Sequence, residues 1–142
     1  MAIIKSVKGL TPKFGRDCYF SENAAIVGEV TMGDECSVWF NAVVRGDVAP
    51  VIMGNRCNVQ DGAVVHVTNK IGPTIMEDDV TIGHNATVHA CTLRKGCLIG
   101  MGSTVLDNAV VGEELSWLPA HWCSVAHRLA TMRYGVACRQ SS

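Results

Sequence analysis

The 142-residue chain predicts an all-β fold, a left-handed parallel β-helix of hexapeptide repeats. Three observations predict it. Small aliphatic residues recur mostly at steps of six. Glycine directly follows many of them, as at Gly28, Gly33, Gly54, Gly83, Gly100 and Gly112. Aromatic residues make up only 6% of the chain against 14 glycines, which suits a narrow interior with tight corners. Each hexad makes one short strand and a turn, and three hexads make a triangular coil that stacks on the next at strand spacing, roughly 4.7–4.9 Å. With 48% apolar residues, the chain can fill that interior as one solenoid domain over residues 1–114.

In chain order, Val27 opens the first face, Met32 the second and Val38 the third. Val44, Met53 and Val59 make the next coil, then Val65, Met76 and Ile82, then Val88, Leu93 and Ile99, and Val105 and Val111 begin another. The irregular steps share one corner. Two short ones, Val27 to Met32 and Val88 to Leu93, and two long ones, Val44 to Met53 and Val65 to Met76, all lie between the first and second faces. This predicts two adjacent loops, Arg45 to Ile52 and His66 to Ile75, built around one site.

After Glu114 the hexads stop. Residues 115–142 contain no acidic residue and hold two of the three tryptophans, so they are read as an atypical C-terminal tail. Within it Val125, Leu129, Met132 and Val136 have helical spacing, which allows a short basic helix over Ser124 to Cys138, with disorder as the alternative. A change of reading frame would account for the break: compatible codons for residues 115–123, read one base earlier, spell Leu-Leu-Val-Ala-Gly-Ala-Leu-Val, which would continue the repeat.

The formal net charge of -1 shows no nucleic-acid footprint. No run of about 18 apolar residues spans a bilayer, and Met1-Ala-Ile-Ile-Lys5 is too brief for a secretory signal, so a cytoplasmic protein without a membrane partner is expected. The seven cysteines are odd in number and form no CxxC pair, and are read as reduced, small apolar fillers. Cys57, at the fifth position of its hexad, is expected to turn inward.

Arg45, His66 and His89 each follow a first-face inward residue, so they form a ladder on three successive coils. His66 and His89 are then neighbours, and two imidazoles one strand spacing apart can reach one metal ion with bonds of roughly 2.0–2.1 Å. His84 lies two places after Ile82, near a corner of the third face and in register with Asp61 on the coil below. It cannot easily bend round to the same ion, so the geometry predicts that a neighbouring subunit supplies it, in a trimer with three such sites. Three histidines with an open fourth position bring the pKa of a bound water to about 7, which suggests hydration or hydrolysis of a small electrophile. His121 and His127 are read as solvated.

Together Val43-Val-Arg45-Gly-Asp47, Asn58-Val-Gln60-Asp61-Gly62, His66 and Ile82-Gly-His84 with His89 resemble the signature of the γ-class carbonic anhydrase family, over about residues 10 to 114. The resemblance implies a homotrimeric left-handed β-helix with zinc, alternatively iron or cobalt, at each subunit interface, and reversible hydration of carbon dioxide to bicarbonate. It implies that His66 and His89 bind the metal from one subunit and His84 from its neighbour. Arg45 and Asp47 resemble the family's inter-subunit ion pair, with Asp61 as a further partner. Gln60 matches the residue that hydrogen-bonds the metal-bound water or hydroxide, and Asn58 a nearby orienting group. An amide at Gln60 can orient hydroxide without competing for the metal. Arg45 with Asp47 is either a plain surface pair or a buried interface pair that fixes register. Trp39 is either an interface anchor or outer-face packing.

Two departures from the family bear on turnover. Well-characterised members carry glutamates beside the metal as proton shuttles, whereas the loop from Val67 to Thr74 has none, so proton transfer is expected to be slow. The tail also replaces the family's further coil and C-terminal helix. Two other functions fit parts of the pattern. A hexapeptide-repeat acyltransferase would use a catalytic histidine beside a coenzyme A groove, and a non-catalytic metal-binding trimer would keep the ligands alone.

Overall fold

The computed structural model describes residues 1–70 and 72–114, together with the backbone of residues 116–117 and 122–123. Among the described residues every regular element is a β-strand, most of them two or three residues long. Among the described strands every pairing is parallel. The first interior column stacks Ile26, Val44, Val65, Val88 and Val105. The second stacks Phe14, Met32, Met53, Met76, Leu93 and Val111, and the third Phe20, Val38, Val59, Ile82 and Ile99. From Ile26 onward no member is more than 3% exposed. This is the three-sided left-handed β-helix that the repeat predicts, and burial of these columns is its main stabilising term.

The hexad buries two residues, not one. Two places before the large inward side chain, a small one fills the corner: Ala24, Cys36, Ala42, Cys57, Ala63, Ala86, Cys97 and Ser103 are all at or near zero exposure. Cys57 therefore turns inward as expected, and its Sγ donates to the Glu77 carbonyl of the next coil at 3.1 Å. Cys36, Cys57, Cys91 and Cys97 are buried and none of them is in a disulfide, and Cys18 is half-buried.

One inward assignment is corrected. Ile26, fully buried, stacks under Val44, whereas Val27 is half-buried and pairs with Arg45. Val27-Gly28 imitates the aliphatic-glycine dipeptide that marks an inward residue elsewhere, but Gly28 is there for another reason. Its φ is +79°, and a Cβ would lie 2.3 Å from the Gly46 carbonyl oxygen. The step from Ile26 to Met32 is then a regular six, which leaves Val88 to Leu93 as the one short step.

The stacking partners in the first column give coils of 18, 21, 23 and 17 residues. The departures from 18 sit at the corner between the first and second faces. There the strand Val43–Met53 runs on round the corner, with a register shift between Gly28 and Val30 on the strand beneath it. One coil higher the chain loops out between His66 and Thr74, closed by an isolated bridge between Thr68 and Gly72. Because Ala25–Met32 and Val43–Met53 both turn this corner, the first two faces join as one 11-stranded sheet, and the third is a separate 6-stranded sheet.

At the next corner side-chain oxygens fasten coil to coil. Asp34 Oδ1 accepts from the Arg16 N–H at 2.8 Å, Asn55 Oδ1 from Asp34 N–H at 2.8 Å, and Asp78 Oδ1 from Asn55 N–H at 2.7 Å. This ladder requires glycine beneath each oxygen: a Cβ on Gly54 would lie 2.3 Å from Asp78 Oδ1.

Parallel backbone pairing extends past residue 114, with Ser116–Trp117 on Leu98–Ile99 and Trp122–Cys123 on Thr104–Val105. The helix expected over Ser124 to Cys138, and His121 and His127, lie outside the described residues. Among the described residues no helix is long and apolar enough to cross a membrane.

Candidate metal centre

Val65-His66 and Val88-His89 are stacked strands in register, with His66 directly under His89. Their rings meet edge-on, centroids 5.1 Å apart, and His66 Nδ1 faces His89 Nε2 at 3.2 Å. The period that buries Val65 and Val88 forces the following residue outward. Both imidazoles therefore stand on the outer surface of the irregular corner, partly shielded, with side-chain exposures of 18% and 29%.

Each imidazole carries a carboxylate on the nitrogen that points away from the other. Asp47 Oδ1 lies 2.8 Å from His66 Nε2, and Asp107 Oδ1 lies 2.5 Å from His89 Nδ1. Burial raises the Asp47 carboxyl, but its hydrogen bonds with His66 and Arg45 outweigh this and hold it below the usual carboxylate range. Asp107 is likewise raised by burial, and Thr68 and His89 more than reverse the effect. Ionised carboxylates only accept hydrogen bonds, so Nε2 of His66 and Nδ1 of His89 must be the donors. The two facing nitrogens are then both lone pairs. Two acceptors at 3.2 Å repel each other unless a cation or a proton lies between them. A tetrahedral ion with nitrogen bonds of roughly 2.0–2.1 Å holds two ligand nitrogens about 3.3–3.4 Å apart, so the pair fits such an ion.

The remaining residues of the sequence reading divide between two places. Arg45 forms an ion pair with Asp47 inside the protomer, and Asp47 thereby links Arg45 to His66. Asp61 and His84 meet on the third-face corner, with His84 Nδ1 3.1 Å from Asp61 Oδ2 and both side chains nearly half exposed. Asn58 and Gln60 flank Val59 on that same face, and Asn58 Oδ1 accepts from the Ser37 hydroxyl at 3.2 Å. Within one protomer His84, Gln60 and Asn58 do not join the pair. Among the described residues no group of three or more His, Cys, Asp or Glu side chains converges on one cation position. Trp39 is on the outer surface of the third face, 36% exposed, with its ring centroid 5.1 Å from that of Tyr19.

Three residues of this centre were not singled out from the sequence. Asp107 comes from the coil above His89. Thr68 donates to Asp107 Oδ2 at 2.5 Å, and fully buried Thr74 donates to the His66 carbonyl at 2.5 Å. Extending the ladder one coil past His89 reaches Leu106-Asp107, which was the available signal for the first. The threonines gave no signal, because a loop-out has no period.

No family model matches the chain. It is 45% identical over 111 residues to a protein of Geobacillus kaustophilus named carbonic anhydrase, covering 78% of this chain and 60% of that protein. It is 38% identical over 106 residues to γ carbonic anhydrase 2, mitochondrial, of Arabidopsis thaliana, covering 71% and 38%. The chain thus spans 60% or less of the length of these two relatives. Among solved structures, a hexapeptide transferase family protein from Anaplasma phagocytophilum is 31% identical with a TM-score of 0.70, and the match covers 84% of this chain and 77% of that one.

Proposed function

Because the chain belongs to the γ-class carbonic anhydrase-like family of hexapeptide-repeat β-helix proteins, we propose that it hydrates carbon dioxide reversibly to bicarbonate at a metal centre completed between the subunits of a homotrimer. The observation that carries this reading is the approach of His66 Nδ1 to His89 Nε2 at 3.2 Å, with a carboxylate on the far side of each ring. A carboxylate behind a ligand histidine fixes its tautomer and raises its basicity. All-imidazole coordination suits zinc, iron or cobalt. When bound, such a cation lowers the pKa of a coordinated water to about 7 and supplies a nucleophile at neutral pH.

His66 and His89 hold the ion from one subunit. Asp61 occupies His84 Nδ1 and leaves its Nε2 free, so His84 of a second copy provides the third nitrogen. The Gln60 amide, on the same face as His84, orients the attacking oxygen by hydrogen bonding, and Asn58 stands beside it. Arg45 steadies Asp47, which in turn steadies His66. The third face is suited to a second copy: Trp39, Phe40, Leu98 and Met101, 36–56% exposed, surround the Asp61–His84 corner with apolar surface. The protein acts in the cytoplasm in this reading, consistent with the lack of a disulfide among the described cysteines.

Metal analysis of protein purified without air, its mass in solution and a carbon dioxide hydration assay test the proposal together. A trimer with one zinc, iron or cobalt per chain and measurable hydration supports it. A metal-free monomer refutes it, and a metal-loaded trimer without hydration leaves the non-catalytic role. Acyl transfer is the second reading, favoured by the name of the Anaplasma protein. It gives the carboxylate-backed pair no task, and saturable coenzyme A binding would support it.

A further inference from the structure

We propose that Asp107 is a positioning residue of this centre, holding the proton of His89 on Nδ1 so that Nε2 is presented to the ion, and that Thr68 ties the 66–74 loop-out to it. The proposal rests on the metal-centre reading but is argued from a count of donors and acceptors that needs no metal. His89 Nδ1 has two oxygens near it, Asp107 Oδ1 at 2.5 Å and Thr68 Oγ1 at 3.3 Å. The threonine hydroxyl has a single proton, and Asp107 Oδ2 takes it at 2.5 Å. Toward His89 the hydroxyl can therefore only accept. Both neighbours of Nδ1 are acceptors, and the proton must sit on Nδ1.

The arrangement crosses three levels of the solenoid. His89 is on one coil, Asp107 is on the coil above, and Thr68 comes from the loop-out of the coil below. Asn108 N–H, next to Asp107, donates to the carbonyl of Ala90, next to His89, at 2.8 Å, which fixes the two backbones against each other. At the other end of the loop-out, Thr74 donates to the His66 carbonyl. The loop-out is thus fastened at both ends to residues of the centre, so the insertion locks the ring of His89 instead of merely passing it.

Two-bond nitrogen–proton couplings of the histidine rings, measured by NMR on the metal-free full chain, report the tautomer directly, and chelator competition reports zinc affinity. The wild type is expected to show His89 protonated on Nδ1. Asp107→Leu should move the proton to Nε2 or mix the two forms, and weaken zinc binding about 10- to 100-fold. Asp107→Asn keeps an accepting oxygen and should retain the tautomer while binding zinc several-fold more weakly, which keeps the question open to test if the leucine variant does not fold. Thr68→Val should lose less than Asp107→Leu, and Thr68→Ser should recover the loss. A tautomer indifferent to Asp107→Leu, or zinc affinity unchanged in Asp107→Asn, overturns the inference. A wild-type chain that binds no zinc, iron or cobalt overturns the reading beneath it instead.

Discussion

Replacing Gly54 by alanine tests the stacking that sets every register in the molecule. The new Cβ would lie 2.3 Å from Asp78 Oδ1, 2.8 Å from Asp78 N and 2.9 Å from the Glu77 carbonyl carbon. The first clash is relieved if the Asp78 side chain, 39% exposed, swings into solvent. That breaks its 2.7 Å hydrogen bond from Asn55 N–H, at about 1.5 kcal/mol, the low end for a charged acceptor because water is close by. The other two contacts are with backbone of the next coil and cannot rotate away, so the coils must part locally, at about 1–3 kcal/mol. The sum, about 2.5–4.5 kcal/mol, is a large share of a typical folding free energy of about 5–15 kcal/mol. Urea denaturation at one fixed protein concentration measures it. Gly72→Ala is the control, because a Cβ there meets nothing within 4 Å and should stay within about 0.5 kcal/mol of the wild type. A Gly54→Ala protein as stable as the control would refute the ladder argument.

His66→Ala and His89→Ala each leave a single imidazole at the corner, and both should lose stoichiometric zinc in equilibrium dialysis; retention by either refutes the paired site. Glu77, hydrogen-bonded to Arg94 and to Lys95 N–H, has its carboxyl held below the ordinary range, chiefly by Arg94. Its contribution is therefore present above the unfolded carboxyl pKa of about 4.3 and lost as pH falls through the lower folded value. Glu77→Gln should be less stable than the wild type by under about 1 kcal/mol at pH 7, a difference that vanishes in strong acid, as thermal melts across pH would show. Burial pushes the Cys97 thiol up to about 12, and Cys57 is raised as well, first by its hydrogen bond with Cys36 and then by burial. Neither should take up a maleimide at pH 8 until urea is added, and rapid labelling in the native protein, seen by peptide mass mapping, would refute their enclosure.

The six-residue period by itself determined the three-sided solenoid, the stacking of His66 under His89 and the separation of His84 with Asp61 on another face. Those are properties of a repeating backbone: once the inward residue is known, its successor points outward on every coil. The same logic misplaced Val27, because a close approach of Gly28 to the Gly46 carbonyl put a glycine where the repeat would have put a marker. Only the tertiary structure decided that Asp47 backs His66, that Asp107 backs His89 and that Thr68 and Thr74 fasten the loop-out to them. Asp47, Thr68 and Thr74 lie in the stretches that break the period, where side-chain position follows from the path of the chain and from contacts with other coils, neither of which is written in local spacing. Asp107 lies in a regular step of six, but its reach to His89 depends on the packing of one coil on the next.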